Sequence, residues 1–305
     1  MKILLAVDDS KFSAAAARMV RSQSRAQLDE VQVVHVVDIF SPLVPDMVAH
    51  YPGVEHERDA QRKPAEELVA RIGEQLRSAG LHVTTRVGWG DPKSTIMDIA
   101  EEWKPDLIAM GSHGRAGLER FLLGSVSETV LQHAKCSVEI AKIPHVKKGV
   151  ATSHSEINKV LLAIEDSRFS EAATSMVIQQ VRPSGAEVRV LHVVEPFPLM
   201  MRKERSAQES SLERVSREEA TKAEALVAAT GEKLRAANLK VSTTIEVGNA
   251  RAKILHVAQT WRANLIVMGS HGRKGLERFL LGEVAGVVAR HARCSVEIVR
   301  TFQAS

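Results

Sequence analysis

The sequence predicts an α/β protein of two tandem, doubly wound domains, each built on a five-stranded parallel sheet of the Rossmann-like kind. Two observations lead to this prediction. One pattern occurs twice along the 305 residues, and within each copy short apolar runs alternate with segments of helical periodicity. Strands buried on both faces of a parallel sheet have continuous apolar sequences, and right-handed crossovers through helices produce a doubly wound sheet.

The repeat is visible by eye. The opening KILLAVDDSKFSAAA recurs as KVLLAIEDSRFSEAA from Lys159, and MGSHGRAGLERFLLGS from Met110 recurs as MGSHGRKGLERFLLGE from Met268. The first domain is expected over residues 1–143 and the second over 158–301. A polar linker, residues 144–157, joins them, with Gly149 among serine, histidine and lysine.

Each element of the first copy has its own signal. The run at 3–7 predicts a first strand, and Ser13 is expected to precede an alanine-rich helix. A second strand follows at 31–37. Apolar residues spaced three to four apart predict a helix over 64–79, which Gly80 is placed to end. The remaining predictions are a strand at 81–87, a helix at 93–103, a strand at 107–110, a helix from Ser125 and a strand at 138–140.

Composition narrows the class of protein. Apolar residues make up 44% and charged residues 26%, which suits two globular domains. The net charge of +4 comes from interspersed acids and bases, and only 4% of residues are aromatic, which argues against nucleic-acid binding. No apolar run approaches the length of a membrane span, and no signal peptide is visible. Two cysteines favour a reducing compartment, so a cytoplasmic location is expected.

A glycine-rich loop follows the fourth predicted strand. Gly111 and Gly114 lie before a nine-residue stretch that ends at Gly124 and Ser125. Glycines can adopt positive φ and bring backbone N–H groups close to a phosphate, and the helix starting at Ser125 offers free N–H groups to an anion. The alternative is purely structural: Ser125 with Glu128 forms a capping box, and the glycines are turn residues. The pattern is neither a P-loop nor a dinucleotide fingerprint.

The G-2x-G-9x-G-S pattern, with the opening AVDDS and the HVV of the second strand, resembles the universal stress protein family over both halves of the chain. The resemblance implies a five-stranded α/β sheet that holds ATP, with Mg²⁺, at its carboxyl edge. By position, it assigns Asp8 to the ribose and phosphates and Val36 to the adenine. The residues that it assigns to the phosphate loop are Met110, Gly111, Gly114, Arg115, Gly124, Ser125, Val126 and Ser127. Arg115 is equally well explained as a solvated arginine, and Asp8 as a local helix cap.

The second copy departs from this pattern at the ligand positions. It keeps Gly269, Gly272 and Gly282, with Val193 matching Val36, but Glu283 replaces Ser125, Ala285 replaces Ser127 and Glu165 replaces Asp8. We expect Glu283 to cap its own helix, occupy the anion site and repel a triphosphate. The first repeat is therefore predicted to bind ATP, and the second to be a degenerate site. Ordinary divergence, with nucleotide still accepted, is the alternative.

The resulting prediction is an ATP-binding tandem universal stress protein that acts in the stress response as a regulator or interaction module. A nucleotide-independent scaffold and a slow Mg²⁺-dependent ATPase are the alternatives, since no residue set indicates strong catalysis and no metal cluster is evident. The two repeats are expected to pair through their last strands as a pseudo-dimer within one chain, and a homodimer stays open. The variable segments 40–63 and 196–218 are the expected surfaces for an unknown protein partner.

Overall fold

A computed structural model describes residues 1–23, 28–38, 53–114, 123–143, 157–181, 186–195, 208–272 and 281–301, without the side chains of 53–59 and 208–216. The chain divides into two compact units, Met1–Glu156 with Ala304–Ser305, and Ile157–Gln303. Among the described residues, no helix combines the length and hydropathy needed to cross a membrane.

In the first unit, five strands alternate with four helices over the described residues. The elements are β1 (Lys2–Ala6), α1 (Lys11–Gln23), β2 (Glu30–Val37), α2 (Gly53–Arg77), β3 (His82–Trp89), α3 (Pro92–Trp103), β4 (Leu107–Gly111), α4 (Ser125–His133) and β5 (Ser137–Ala141). The strands are parallel in the order β3-β2-β1-β4-β5. The chain winds outward from β1 to β3 and then returns to the other side of β1, so the strand order reverses between β1 and β4.

The second unit repeats this arrangement. Its elements are β6 (Lys159–Ile164), α5 (Arg168–Gln180), β7 (Glu187–Val194), α6 (Gln208–Ala236), β8 (Lys240–Val247), α7 (Ala250–Trp261), β9 (Leu265–Gly269), α8 (Glu283–His291) and β10 (Ser295–Val299). The parallel order β8-β7-β6-β9-β10 matches that of the first unit. The predicted fold class, two doubly wound five-stranded domains, is confirmed for each unit taken by itself.

The central strands are apolar on both faces because helices cover both sides of each sheet. Leu4 and Leu5 of β1 are fully buried, as are Val33 of β2 and Ile108 of β4. One core cluster joins β1 and β2 to the inner faces of α1 and α2. This burial explains why short apolar runs, rather than alternating ones, marked the strands in the sequence.

Two helices start earlier than predicted. Helix α1 begins at Lys11 rather than after Ser13, and α2 begins at Gly53 with Pro64 inside it. In the second unit, α6 begins at Gln208. The early part of α2 contains Glu, Arg, Gln and Ala, which favour a helix by propensity but leave no apolar stripe to detect. Part of each variable segment is therefore helical, and residues 40–52 and 196–207 lie outside the described residues.

The end of α2 is as predicted. Gly80 has φ +87°, the left-handed region that glycine adopts at little cost. Its N–H donates to the Arg77 carbonyl at 2.8 Å, and the Leu81 N–H donates to the Leu76 carbonyl at 3.3 Å. These bonds satisfy the last carbonyls of the helix and turn the chain into β3.

Candidate functional site

A cavity of about 1300 Å³ opens in the first unit at the carboxyl ends of β1, β2 and β4, beside the start of α4. This is the place where the strand order reverses, at which open α/β sheets bind their ligands. Nine of the ten residues predicted for the first site line it: Asp8, Val36, Met110, Gly111, Gly114, Gly124, Ser125, Val126 and Ser127. The tenth, Arg115, lies outside the described residues.

Asp8 lies just beyond β1 and uses its two carboxylate oxygens differently. Oδ1 accepts hydrogen bonds from the Ser13 hydroxyl at 2.6 Å and from the Ser10 backbone N–H at 3.2 Å, which fixes the start of α1. Oδ2 makes no hydrogen bond within the described part of the chain and lies 2.9 Å from where a Cβ on Gly114 would stand. Asp8 therefore caps locally and also presents an acceptor to the cavity.

Close approach to a neighbouring backbone requires glycine at position 111 of the loop. None of Gly111, Gly114 and Gly124 has φ in the left-handed region, so the expectation that these glycines serve to adopt positive φ is wrong. A Cβ on Gly111 would stand 2.7 Å from Cβ of Phe12 and 2.8 Å from its carbonyl carbon. The end of β4 thus contacts the start of α1 at a distance that only glycine permits.

The predicted capping box at the start of α4 is wrong. The N-cap is Gly124, with φ −65° and ψ 156°, and no side chain caps the helix. Ser127 instead donates its hydroxyl to the carbonyls of Gly124 at 2.9 Å and Ser112 at 3.0 Å. The Gly124 N–H also donates to the Ser112 carbonyl, which holds the loop against β4.

This geometry leaves the first turn of α4 open to an anion. The backbone N–H groups of Ser125, Val126 and Ser127 have no hydrogen-bond partner among the described residues. All three residues line the cavity. Free N–H groups at a helix N-terminus, at the positive end of the helix dipole, form a binding site for phosphate.

The other end of the cavity is apolar. Val36 and Val37 of β2 lie there with Pro92 and Ile96 of α3. Ile96 is 5% exposed and Val36 is 9% exposed, so a flat apolar ring in this region would contact packed side chains. No sequence pattern points to Pro92 and Ile96, since only the packing of α3 beside β2 brings them to the site.

His113 also lines the cavity, although its residue type and spacing did not single it out. Its Nδ1 is 3.1 Å from the Ser112 hydroxyl, and its ring centroid is 5.1 Å from that of Phe12. The Ser10 hydroxyl donates to its carbonyl at 3.5 Å. The imidazole is thus held between the loop and α1, with one edge toward the cavity.

The equivalent loop of the second unit has another arrangement. Glu283 begins α8 but does not cap it, because the N-cap is Gly282 and the Glu283 carboxylate is paired with Arg251. The expectation that Glu283 occupies the anion site is therefore wrong. The carboxylate of Glu165 instead lies against Gly272, with its Cδ 2.9 Å from where a Cβ on that glycine would stand.

Of two further positions in the second loop, one matches the first unit and one differs from it. A Cβ on Gly269 would stand 3.0 Å from the carbonyl carbon of Phe169, which repeats the close contact of Gly111. Ala285 is buried and has no hydroxyl to tie the loop as Ser127 does.

Burial, with Arg300 and Arg168 nearby, lowers the pKa of His271 below its usual value, which favours the neutral ring in this loop.

The described residues contain no group of three or more His, Cys, Asp or Glu that could hold a metal ion. A Mg²⁺ ion that arrives with a nucleotide needs less, because it takes one or two carboxylates, the phosphates and water. Oδ2 of Asp8 fits that requirement, since it faces the cavity without a described partner.

Comparison with known proteins gives concordant results over nearly the whole chain. Residues 1–142 and 156–300 each match the model of the Universal stress protein family. The universal stress protein Rv2005c of Mycobacterium tuberculosis is 29% identical over 306 residues, covering 98% of this chain and 96% of its own. The universal stress protein MJ0531 of Methanocaldococcus jannaschii is 33% identical over 143 residues, which cover 47% of this chain and 82% of the relative.

A solved structure supports the fold at full length. The crystal structure of a universal stress protein from Archaeoglobus fulgidus superposes with a TM-score of 0.63 at 23% identity. The match covers 98% of this chain and 96% of the other.

Proposed function

The chain belongs to the universal stress protein family, and from that premise we propose that its first repeat binds ATP as the Mg²⁺ complex. The observation that carries the proposal is the single cavity that gathers nine of the ten residues assigned to the nucleotide by position. Its volume of about 1300 Å³ is ample for a nucleotide, and its polar and apolar ends match the two ends of ATP.

The phosphates are bound by the backbone. The free N–H groups of Ser125, Val126 and Ser127 donate to phosphate oxygens, and the helix dipole of α4 adds an attractive field. Ser127 contributes through the loop, because its hydroxyl binds the carbonyls of Gly124 and Ser112 and so fixes where these N–H groups lie. Gly114 has no side chain on the opposite wall of the cavity, which leaves room for the phosphates to approach.

The base and ribose occupy the other end. The adenine packs against Val36, Ile96 and Pro92, and the ribose or Mg²⁺ takes the free Oδ2 of Asp8. The ion supplies charge neutralisation of the phosphates when bound. The residues that line the cavity support binding and orientation of the nucleotide.

The second repeat binds nucleotide weakly or not at all in this proposal. The added methylene of Glu165 brings both carboxylate oxygens and Cδ against Gly272, whereas in the first repeat only Oδ2 of Asp8 approaches Gly114. Glu283 places a second negative charge on the first turn of α8, although Arg251 pairs with it. Two carboxylates near a triphosphate oppose its binding.

We assign the whole protein to the stress response in the cytoplasm, as a nucleotide-dependent regulator or partner-binding module. The partner surfaces proposed are the segments 40–63 and 196–218, which differ most between the repeats. The proposal also includes pairing of the two repeats through their last strands and a homodimer. Cross-linking of the whole chain tests both.

The test is a calorimetric titration of the nucleotide-stripped chain with Mg-ATP, reading stoichiometry as well as affinity. The expected result is about one site per chain.

Ser125→Glu, which installs the second repeat's residue in the first, should abolish binding. Glu283→Ser is the matched control at the equivalent position, and it should leave the first site intact. Gly114→Ala should also lose binding, because the new Cβ displaces Asp8, whereas Gly272→Ala should keep it.

Two results would contradict the assignment. Binding that survives Gly114→Ala but disappears in Gly272→Ala would move the site to the second repeat. No binding by the wild-type chain would leave the nucleotide-independent scaffold as the better description of the protein.

A further inference from the structure

A second cavity of about 410 Å³ lies in the first unit between α1 and α2. Its rim carries three arginines, Arg18 and Arg21 from α1 and Arg71 from α2. We call it the arginine groove. Its floor is apolar and well buried, formed by Ala17, Leu68, Ile72 and Leu76. A floor of this kind excludes water and strengthens the charges above it.

The positive charge of the groove is only partly compensated. Arg71 contacts Oδ1 of Asp9 at 3.3 Å, with both side chains mostly exposed. Arg18 and Arg21 make no hydrogen bond or ion pair within the described part of the chain. They are three residues apart on one helix, so they lie on the same face, where like charges repel each other.

The fold does not require these arginines. At the equivalent positions of the second repeat the chain has Ser175, Ile178 and Ala229. The apolar floor is kept only in part there: Leu226 and Leu234 match Leu68 and Leu76, whereas Thr174 and Thr230 replace Ala17 and Ile72. The three arginines are thus particular to the first repeat and are not a requirement of the shared fold.

From this geometry we infer that the arginine groove binds a small phosphorylated anion of the pyrophosphate or triphosphate class, separately from the nucleotide. Guanidinium groups bind phosphate oxygens two at a time, and three of them around one cavity suit an anion with several such oxygens. The volume is that of a small-molecule site and not of a nucleic acid or a protein surface.

The groove is adjacent to the proposed nucleotide cavity but chemically distinct from it. Asp8, Asp9, Leu68 and Arg71 line both, whereas Arg18 and Arg21 line only the groove. Variants of Arg18 and Arg21 thus test the groove without altering a residue assigned to ATP.

The experiment titrates the full-length, nucleotide-stripped chain with inorganic pyrophosphate by calorimetry at fixed ionic strength. The background is Ser125→Glu, in which the phosphate-binding turn of α4 carries a carboxylate. Adding Arg18→Ser with Arg21→Ile, the residues of the second repeat, should weaken pyrophosphate binding about tenfold or more, since each lost charged hydrogen bond costs about that factor. In a chain that keeps Ser125, Arg18→Ser with Arg21→Ile should change the affinity for Mg-ATP less than about twofold.

The control is Arg62→Ser with Lys222→Ser, which removes two exposed positive charges away from the groove. It should leave pyrophosphate binding unchanged. A reciprocal variant, Ser175→Arg with Ile178→Arg and Ala229→Arg, should raise the stoichiometry from one pyrophosphate to two, because it places the same three guanidinium groups on the second repeat, where Leu226 and Leu234 keep part of the floor.

Several outcomes would overturn the inference: unchanged affinity in the Arg18 and Arg21 variant, an equal loss in the control, or stronger binding of an acidic peptide than of pyrophosphate. One-for-one displacement of pyrophosphate by Mg-ATP in the wild-type chain would also overturn it, because the anion would then occupy the nucleotide site. Groove-dependent pyrophosphate binding in a chain that does not bind Mg-ATP would support the inference and refute only the proposed function.

Discussion

Asp8 illustrates how one side chain combines a structural and a ligand role. One oxygen is committed to Ser13 and Ser10 at the start of α1, and the other faces the cavity. From the sequence these were alternatives. In the structure they are compatible, because a carboxylate has two oxygens and the turn after β1 points them in different directions.

Asp8→Asn should separate the two roles. The amide oxygen can still accept from Ser13 and Ser10, so the melting temperature should change by no more than a few degrees. The amide NH₂ in place of Oδ2 cannot accept from the ribose or bind Mg²⁺, and Mg-ATP affinity should fall about tenfold or more. Asp8→Ala should lower both quantities. Equal ATP affinity for Asp8→Asn and wild type would contradict the assignment of Oδ2.

A buried carboxyl group lies away from the nucleotide cavity, on β5. Glu139 is 1% exposed, and its Oε1 accepts a hydrogen bond from Gln23 of α1 at 2.9 Å. Its Oε2 has no hydrogen-bond partner among the described residues. Burial raises the pKa of Glu139 to about 7, and the Gln23 hydrogen bond opposes that rise. Glu297 and Gln180 repeat the pair in the second unit at 3.1 Å.

This pKa makes stability depend on pH. Between the ordinary carboxyl pKa and about 7, the folded chain keeps a proton that the unfolded chain has lost, so the free energy of unfolding falls as pH rises through that window. The loss at pH 8 is on the order of 3 kcal/mol relative to pH 4. Glu139→Gln should remove this contribution and raise the denaturation midpoint at pH 8 more than at pH 5. Glu67→Gln, on an exposed face, is the control and should leave the profile unchanged.

At the scale of secondary-structure elements, the contact between the end of β4 and the start of α1 sets the shape of the site. Gly111 permits this contact, and Gly269 permits the same one in the second unit against Phe169. The loop that follows is then held by hydrogen bonds from Gly124 and Ser127 to Ser112. The first turn of α4 thus reaches the cavity because its neighbours pack closely on either side of the loop.

Gly111→Ala should therefore destabilise the first unit, because its Cβ would meet both the side chain and the backbone of Phe12 within 3 Å. The expected cost is about 1–3 kcal/mol, as for other overpacked sites, and it is read from urea denaturation. Gly286→Ala is the matched control: it lies within α8, where the new methyl meets only the ends of Arg290 and Leu281. That variant should be at least as stable as wild type, because alanine favours a helix. Equal midpoints for the two variants would contradict this account of the contact.

At the scale of the whole molecule, two units with the same fold differ in their ligand positions. The first unit has a free acceptor on Asp8 and open N–H groups on α4. In the second, the Glu165 carboxylate lies against Gly272, and Glu283, on the first turn of α8, pairs with Arg251. Ligand binding should therefore stabilise the two units unequally.

Hydrogen exchange of the intact chain measures this inequality. With Mg-ATP at about 100 times Kd, the bound unit gains on the order of 2.7 kcal/mol. Amides at the start of α4 and at the end of β1 should exchange more slowly, whereas those of α8 and β6 should not change. Protection of equal size in both units would contradict the proposal that the second site is degenerate.

The sequence alone determined the family, the repeat and the fold class, because apolar periodicity and a spaced glycine motif survive divergence. With the family resemblance, it also predicted nine of the residues that line the cavity, since parallel strands deliver their carboxyl ends to one edge of a sheet. Residues 144–156 lie outside the described residues, so the proposed linker and domain limits remain predictions.

Only the tertiary structure decided how those residues act. It replaced the predicted capping box of Ser125 with a Gly124 cap, paired Glu283 with Arg251 and brought Ile96 to the cavity. It also brought Arg18 and Arg71 together from two helices that are distant along the chain. Such contacts depend on how elements pack across a core, and a linear pattern carries no information about which distant side chains then meet.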